Sequence, residues 1–197
     1  MKILWATDIH LNLVDSKTLG DFCNKITCIK PDVVLIGGDI ADATSLVTAL
    51  LTLEEKIQCP IYFVLGNHDY YNSSISDVRK QVGEVSDSTT YLKYLGNTGV
   101  VKLTDTTCLI GHDSWSDGRC GDFFKSNVML NDYKLINDFN SLDKQARLIK
   151  LHELGDEAAT FFRQQLTQAL PNFQHIIILT HVPPFPEACW HEGDLSN

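Results

Sequence analysis

No stretch of this sequence stays apolar for the ~20 residues that a helix needs to cross a bilayer, so a helical membrane protein is not expected. Basic residues are also scarce. Lys and Arg total 16 against 25 Asp and Glu, for a formal net charge of -9, and no dense basic tract offers itself to a phosphate backbone or an anionic surface. Nucleic acid is therefore a disfavoured partner. The six cysteines include no close CxxC pair. Cys23 and Cys28 would stand about 500° apart around a helix axis, which makes them a poor metal pair. Reduced thiols are expected rather than disulfides. The opening residues MKILWATDIH reach Asp8 and His10 before any apolar run attains signal-peptide length, and a cytoplasmic location is the expectation. What remains is an ordinary globular composition, 197 residues of which 44% are hydrophobic, enough to bury one substantial core.

The apolar residues come in short runs separated by helical patterns. Lys2 to Thr7, Val33 to Ile36 and Ile61 to Leu65 read as buried strands. Between them, Asp15 to Ile29 and Asp42 to Gln58 repeat apolar residues at helical intervals before Pro31 and Pro60. This alternation predicts a parallel β-α-β-α-β unit covered by helices. A short helix is expected over Ile75 to Val82 and a loop or partly ordered connection over Gly83 to Asn97. Val100 to Leu103 and Thr107 to Ile110 flank Thr104-Asp105-Thr106 as an antiparallel hairpin, which would give the sheet a mixed extension. Residues 111–140, rich in Asp, Asn, Ser and Gly around Trp115, Phe123, Phe124 and Tyr133, read as a cap or rim insertion within a single domain spanning 1–197. A long helix over Leu142 to Leu170, interrupted near Gly155, leads to a last strand from His175 to Thr180. The tail beyond it shows no closing strand.

The chemistry gathers where strands end. Three exits carry Asp8-Ile9-His10, Gly38-Asp39 and Gly66-Asn67-His68-Asp69, and the last strand runs into His181. Exits of parallel strands bring residues distant in sequence to one rim, where ligands bind in open α/β sheets. Carboxylate and imidazole donors together suit divalent manganese, iron or zinc, whereas a site for magnesium alone would use fewer histidines. Outside these exits, His112, Asp113, Trp115, Asp117 and Arg119 form a polar and aromatic group. Arg119 is a candidate for a substrate phosphate and Trp115 for an organic leaving group, with ordinary loop packing as the competing reading. Tyr70 and Tyr71 raise the same choice between substrate wall and loop packing.

With Asp8-x-His10, Gly38-Asp39, Gly66-Asn67-His68-Asp69 and Thr180-His181-Val182-Pro183-Pro184 in this order, the sequence resembles the calcineurin-like metallophosphoesterase family over nearly its whole length. The resemblance implies an α/β fold with a mixed β-sheet core flanked by helices. It also implies hydrolysis of a phosphomonoester or phosphodiester by a two-metal centre. By the same resemblance, Asp8 and His10 bind one cation, Asp39 bridges both, and Asn67 and His181 bind the second. His68 would stabilise or protonate the leaving oxygen, with Asp69 orienting it or supporting its imidazolium form. The substrate would be a phosphate ester, a small molecule or nucleotide. A noncatalytic protein-binding scaffold of the same fold is the alternative.

One family feature is missing. A Gly-His-x-His motif that gives one histidine to each metal is expected after His181. The only later histidine, His191 in Cys189-Trp190-His191-Glu192, does not match it, and Gly111-His112-Asp113 lies too early. Either the chain is a C-terminally truncated fragment, the favoured expectation, or its centre is altered. Truncation would weaken metal binding and turnover relative to a longer protein.

Overall fold

Side chains of the second apolar run alternate between two faces that are both buried, and this explains why the run is unbroken. In the computed structural model, which describes residues 1–191, 194 and 195, the run forms strand β2 (Val33–Ile36). Val34 and Ile36 point into one hydrophobic cluster, whereas Val33 and Leu35 point into another. A strand covered on both faces has no solvent side, so it carries no polar alternation. β2 lies between β1 (Ile3–Ala6) and β3 (Ile61–Phe63), and β4 (Leu92–Tyr94) pairs beyond β3, all parallel.

The first face is covered by α1 (Ser16–Ile29), α2 (Leu46–Ile57) and α3 (Ile75–Ser88), whose Cys23, Ile26, Leu50, Leu53, Val78 and Val82 pack on Val34, Ile36 and Phe63. Each fully buried aliphatic side chain contributes about 1.5–3 kcal/mol. The Asp15 carboxylate caps α1 by accepting from the Thr18 amide at 2.7 Å, and the Ser74 hydroxyl caps α3 by accepting from that of Asp77 at 3.1 Å. α3 continues six residues past the expected end at Val82.

The second face of the parallel sheet meets another sheet. Here β5 (Val101–Lys102) and β6 (Thr107–Gly111) form the predicted hairpin, and β7 (His175–Leu179) runs parallel to β6. Leu109 and Leu179 pack on Val33, Leu35 and Val64, while Cys108 and Ile110 face α6 (Lys144–Ala169) with Phe161, Phe162 and Leu166. The expected extension of the first sheet is thus a separate three-stranded sheet stacked on it. Helices lie on the outer faces of both.

Two local expectations are corrected. Within the Gly83 to Asn97 segment expected as loop, Leu92–Tyr94 is the β4 edge strand, and short helix α4 (Leu95–Thr98) follows. Within β4 itself only Leu92 and Tyr94 are buried, too short an alternation to stand out in the sequence. α6 also runs without interruption through Gly155. A Cβ at Gly155 would lie 2.6 Å from that of Asp117, so the glycine admits a close neighbour rather than breaking the helix. In the tail, β8 (Trp190–His191) and β9 (Asp194–Leu195) pair only with each other among the described residues. Glu192, part of the segment compared with the missing histidine motif, lies outside the described residues. No described helix is long and apolar enough to cross a membrane.

Asp113, just past β6, ties these layers together. It is 1% exposed and accepts from the Leu65 amide at 2.8 Å, the Tyr70 and Tyr94 hydroxyls at 2.7 and 2.5 Å, and Arg79 Nε at 3.1 Å. Arg79 continues to Glu157 of α6 at 2.7 Å. Removing the carboxylate would take away the acceptor of Arg79 Nε, of the Leu65 amide and of two buried phenols. Asp113→Ala is expected to cost about 3–5 kcal/mol in urea unfolding, and a loss below about 1 kcal/mol would contradict this structural role.

Candidate metal centre

Past the last pairs of β1 and β2, the two segments that follow them stay hydrogen-bonded. The amides of Asp8 and His10 donate to the carbonyls of Gly38 and Asp39 at 3.1 and 3.0 Å. These contacts hold the two exits side by side, but in an unusual backbone. Asp8, His10 and Asp39 have φ of 53°, 41° and 51°, in the left-handed region that costs L-residues energy. Three such residues clustered at strand exits mark a place where the fold maintains local strain.

Asp39 stands at the centre, 4% exposed. Its Oδ2 lies 3.8 Å from His10 Nε2 and 4.0 Å from His68 Nε2, while its Oδ1 lies 3.5 Å from His181 Nε2. The His68 amide also donates to Oδ1 at 3.0 Å, fixing the carboxylate. The imidazole separations are too long for direct hydrogen bonds. Two donors each about 2.1 Å from one cation would stand roughly 3–3.5 Å apart, so contraction by a few tenths of an ångström would suit a shared ion.

His181 makes the case for a cation more specific. Its Nδ1 is 2.8 Å from the Gly37 carbonyl, which can only accept, so Nδ1 carries a proton. In the neutral ring Nε2 is then a lone pair, and it faces Asn67 Oδ1 at 3.1 Å and Asp39 Oδ1 at 3.5 Å. Three acceptors converge, and either a ring proton or a cation must stand between them. A carbonyl holding the far nitrogen of a histidine is a common arrangement behind metal ligands.

Two groups of donors lie mutually within 4.8 Å, His10 with Asp39 and His68, and Asp8 with Asp39 and His181. All the residues expected at the centre except Asp69 therefore border one rim. Their grouping differs from the implied ligand sets, since Asp8 stands with His181 and His68 stands with His10. The donor chemistry fits divalent cations with either partition.

Asp69 occupies another place. Fully buried, its carboxylate accepts from the amides of Ile40, Ala41 and Gly66 at 2.8, 2.9 and 2.8 Å, and so it binds the β2 and β3 exits to each other. Burial pushes its carboxyl up to about 8, against the three amides that favour its charged form. No hydrogen bond joins it to the His68 ring among the described residues. The His68 ring instead stacks on Tyr71, with centroids 4.4 Å apart.

A cavity of about 390 Å³ opens beside the centre, walled by Tyr71, Trp115, Leu130 and Val182 and bordered by Asn67, His68, Asp132 and His181. The polar group that follows β6 disperses around it. Trp115 reaches the wall. Arg119 is engaged by Asp117 at 2.7 Å and Asp156 at 3.0 Å and does not line the cavity. The tyrosine pair divides in the same way, Tyr71 lining the cavity and Tyr70 buried on Asp113. Asp132 is a residue that sequence reasoning missed. It accepts from Asn67 Nδ2 at 2.9 Å and from the Tyr71 hydroxyl at 2.7 Å, yet it lies in the 111–140 segment with no motif around it. Together with burial, that carboxylate pushes the Tyr71 phenol well up.

A family-wide model of the calcineurin-like phosphoesterases matches residues 1–197, and the chain belongs to that family. Its members carry out metal-dependent phosphoester hydrolysis. A bovine (Bos taurus) transmembrane protein with a metallophosphoesterase domain is 38% identical over 81 residues, 39% of this chain and 18% of that protein. The uncharacterized protein L509 of Acanthamoeba polyphaga mimivirus is 27% identical over 201 residues, 93% of this chain and 69% of that protein. Among solved structures, the phosphopantetheinyl hydrolase of Mycobacterium tuberculosis superposes with a TM-score of 0.68 at 14% identity, over 95% of this chain and 70% of the other. That likeness establishes the shared fold.

Gly66 offers a direct test of the crowding at this rim. A Cβ there would run into the Asp39 carboxylate and lie 2.7 Å from His181 Cε1. Gly66→Ala is expected to weaken Mn²⁺ binding at least tenfold in calorimetric titration, with an overpacking cost of about 1–3 kcal/mol in stability. Unchanged affinity would mean that Asp39 and His181 do not act together on a cation.

Proposed function

We propose that this chain is a two-cation phosphoesterase acting on a small phosphate ester, a monoester or diester of a small molecule or nucleotide. Manganese, iron or zinc would be the cations. The observation that carries the reading is the division of Asp39. One oxygen faces His10 and His68 and the other faces His181, an arrangement that suits a carboxylate shared by two ions. His10 on one side, Asn67 and His181 on the other, and Asp8, which stands with Asp39 and His181, complete the proposed ligands. Asn67 adds an oxygen donor without adding charge.

Bound there, the cations would supply Lewis acidity, withdrawing charge from the phosphoryl oxygens and acidifying water. The protein's own task is placement and proton transfer. His68, with a side chain 42% exposed at the cavity edge, can hold a proton on Nε2 and deliver it to the leaving oxygen. Its stacking on Tyr71 restrains the ring plane. Residues 111–140 act as the rim, since Trp115, Leu130 and Asp132 from that segment border the cavity. The cavity volume suits a small organic group rather than a folded protein surface. Among the described residues no Lys or Arg lines it, so charge recognition of the substrate would fall to the cations.

His68 and Asp39 separate the roles experimentally. His68→Ala is expected to lower kcat by about 10²–10⁴ while Mn²⁺ affinity stays within a few-fold, whereas Asp39→Asn should lose both activity and the binding of two ions. A His68→Ala protein that loses Mn²⁺ in proportion to activity would make His68 a ligand instead of an acid. Failure of the unmodified protein to bind manganese, iron or zinc would refute the whole reading.

A further inference from the structure

A side-chain amide has one oxygen and one nitrogen of nearly equal size, and only the oxygen can donate a lone pair to a cation. Asn67 therefore needs something to decide which end faces His181 Nε2. Asp132 supplies it. Its carboxylate can only accept in the charged form, and it takes Asn67 Nδ2–H at 2.9 Å, which leaves Oδ1 facing His181 at 3.1 Å. The reversed amide would set oxygen against carboxylate.

The carboxylate is itself held firmly. Asp132 is 8% exposed and begins α5 (Asp132–Leu135). Fully buried Ile136 and Phe139 anchor the segment just beyond α5. Backbone bonds from the Asn72 amide to the Leu135 carbonyl (2.8 Å) and from the Asn137 amide to the Ser73 carbonyl (2.9 Å) dock it beside the residues that follow His68. The Tyr71 hydroxyl, at 2.7 Å, lands on the same carboxylate oxygen as Asn67. One atom of Asp132 thus steadies both the amide and the ring on which His68 stacks.

We infer that Asp132 is a positioning residue of the metal centre, one that orients the Asn67 amide and raises the donor strength of its oxygen, so that the 111–140 segment completes the site reached by β3. The inference rests on the proposed cation centre. Partners of this kind typically change metal affinity by about 10- to 100-fold when removed.

Calorimetric titration of Mn²⁺ into the whole chain and into Asp132→Ala tests it. The expected result is a loss of about 10- to 100-fold at one cation, with the other within about threefold. Asp132→Asn should recover most of that loss, since its single oxygen can accept from both Asn67 and Tyr71. Wild-type affinity for every ion in Asp132→Ala would overturn the inference. A uniform loss at both ions, which a merely structural role would give, would overturn it as well. Should Asp132→Ala not fold, side-chain amide NMR of the unmodified protein decides. Retarded exchange of the Asn67 Nδ2 protons, relative to exposed asparagines, supports the inference, and free exchange overturns it. A wild-type stoichiometry below two would refute the two-cation reading rather than this one, which is then judged on the ion that remains.

Discussion

Parallel pairing of Ala6 with Ile36, and of Ile36 with Phe63, delivers three chain exits to one rim within a few residues of each other. Asp8, Asp39 and Asn67 follow those paired positions by two, three and four residues. A shift of register by one residue would exchange the two faces of a strand and carry these side chains away from each other. Both faces of β2 are fully packed, so the cost of such a slip falls on two hydrophobic clusters at once. Core packing therefore holds the candidate centre together.

His181 brings a further condition. It follows β7, which belongs to the second sheet, yet its ring hydrogen-bonds to Gly37 at the end of β2. The candidate centre consequently straddles two sheets, and it assembles only when Leu109 and Leu179 are packed on Val33 and Leu35. The glycines at this junction follow from the same closeness. At Gly38, with φ of 92°, a Cβ would lie 2.6 Å from the Gly66 amide nitrogen and 2.8 Å from His181 Nδ1. Backbone must stand where other rims have side chains.

How much of this was legible in the sequence depends on the range of the interaction. The four exits could be read because strand, helix and exit motif are contiguous, and each signal is local. The place of β4 could not, since Leu92 and Tyr94 give only one alternation. Gly155 looked like a break because its partner, Asp117, lies 38 residues earlier and is brought near only by the fold. Asp69 was read as the partner of its neighbour His68, yet its carboxylate reaches back to Ile40 and Ala41. In each of these cases the deciding contact crosses tens of residues, where spacing carries no information.

Asp132 is the extreme case of that rule and shows what the rim segment adds. Its bonds to Asn67 and Tyr71 span 65 and 61 residues. Through them, a segment that looks like a surface excursion is joined to the proposed ligand Asn67 at the β3 exit and to the aromatic platform under His68. Any ion held by Asn67 Oδ1 would feel this negative charge through the amide and would in turn favour the docked position of α5. Binding to the folded state alone raises its stability by mass action. Cation occupancy, the order of the rim and the packing of the two sheets are then linked free energies, and a change in any one of them is felt by the other two.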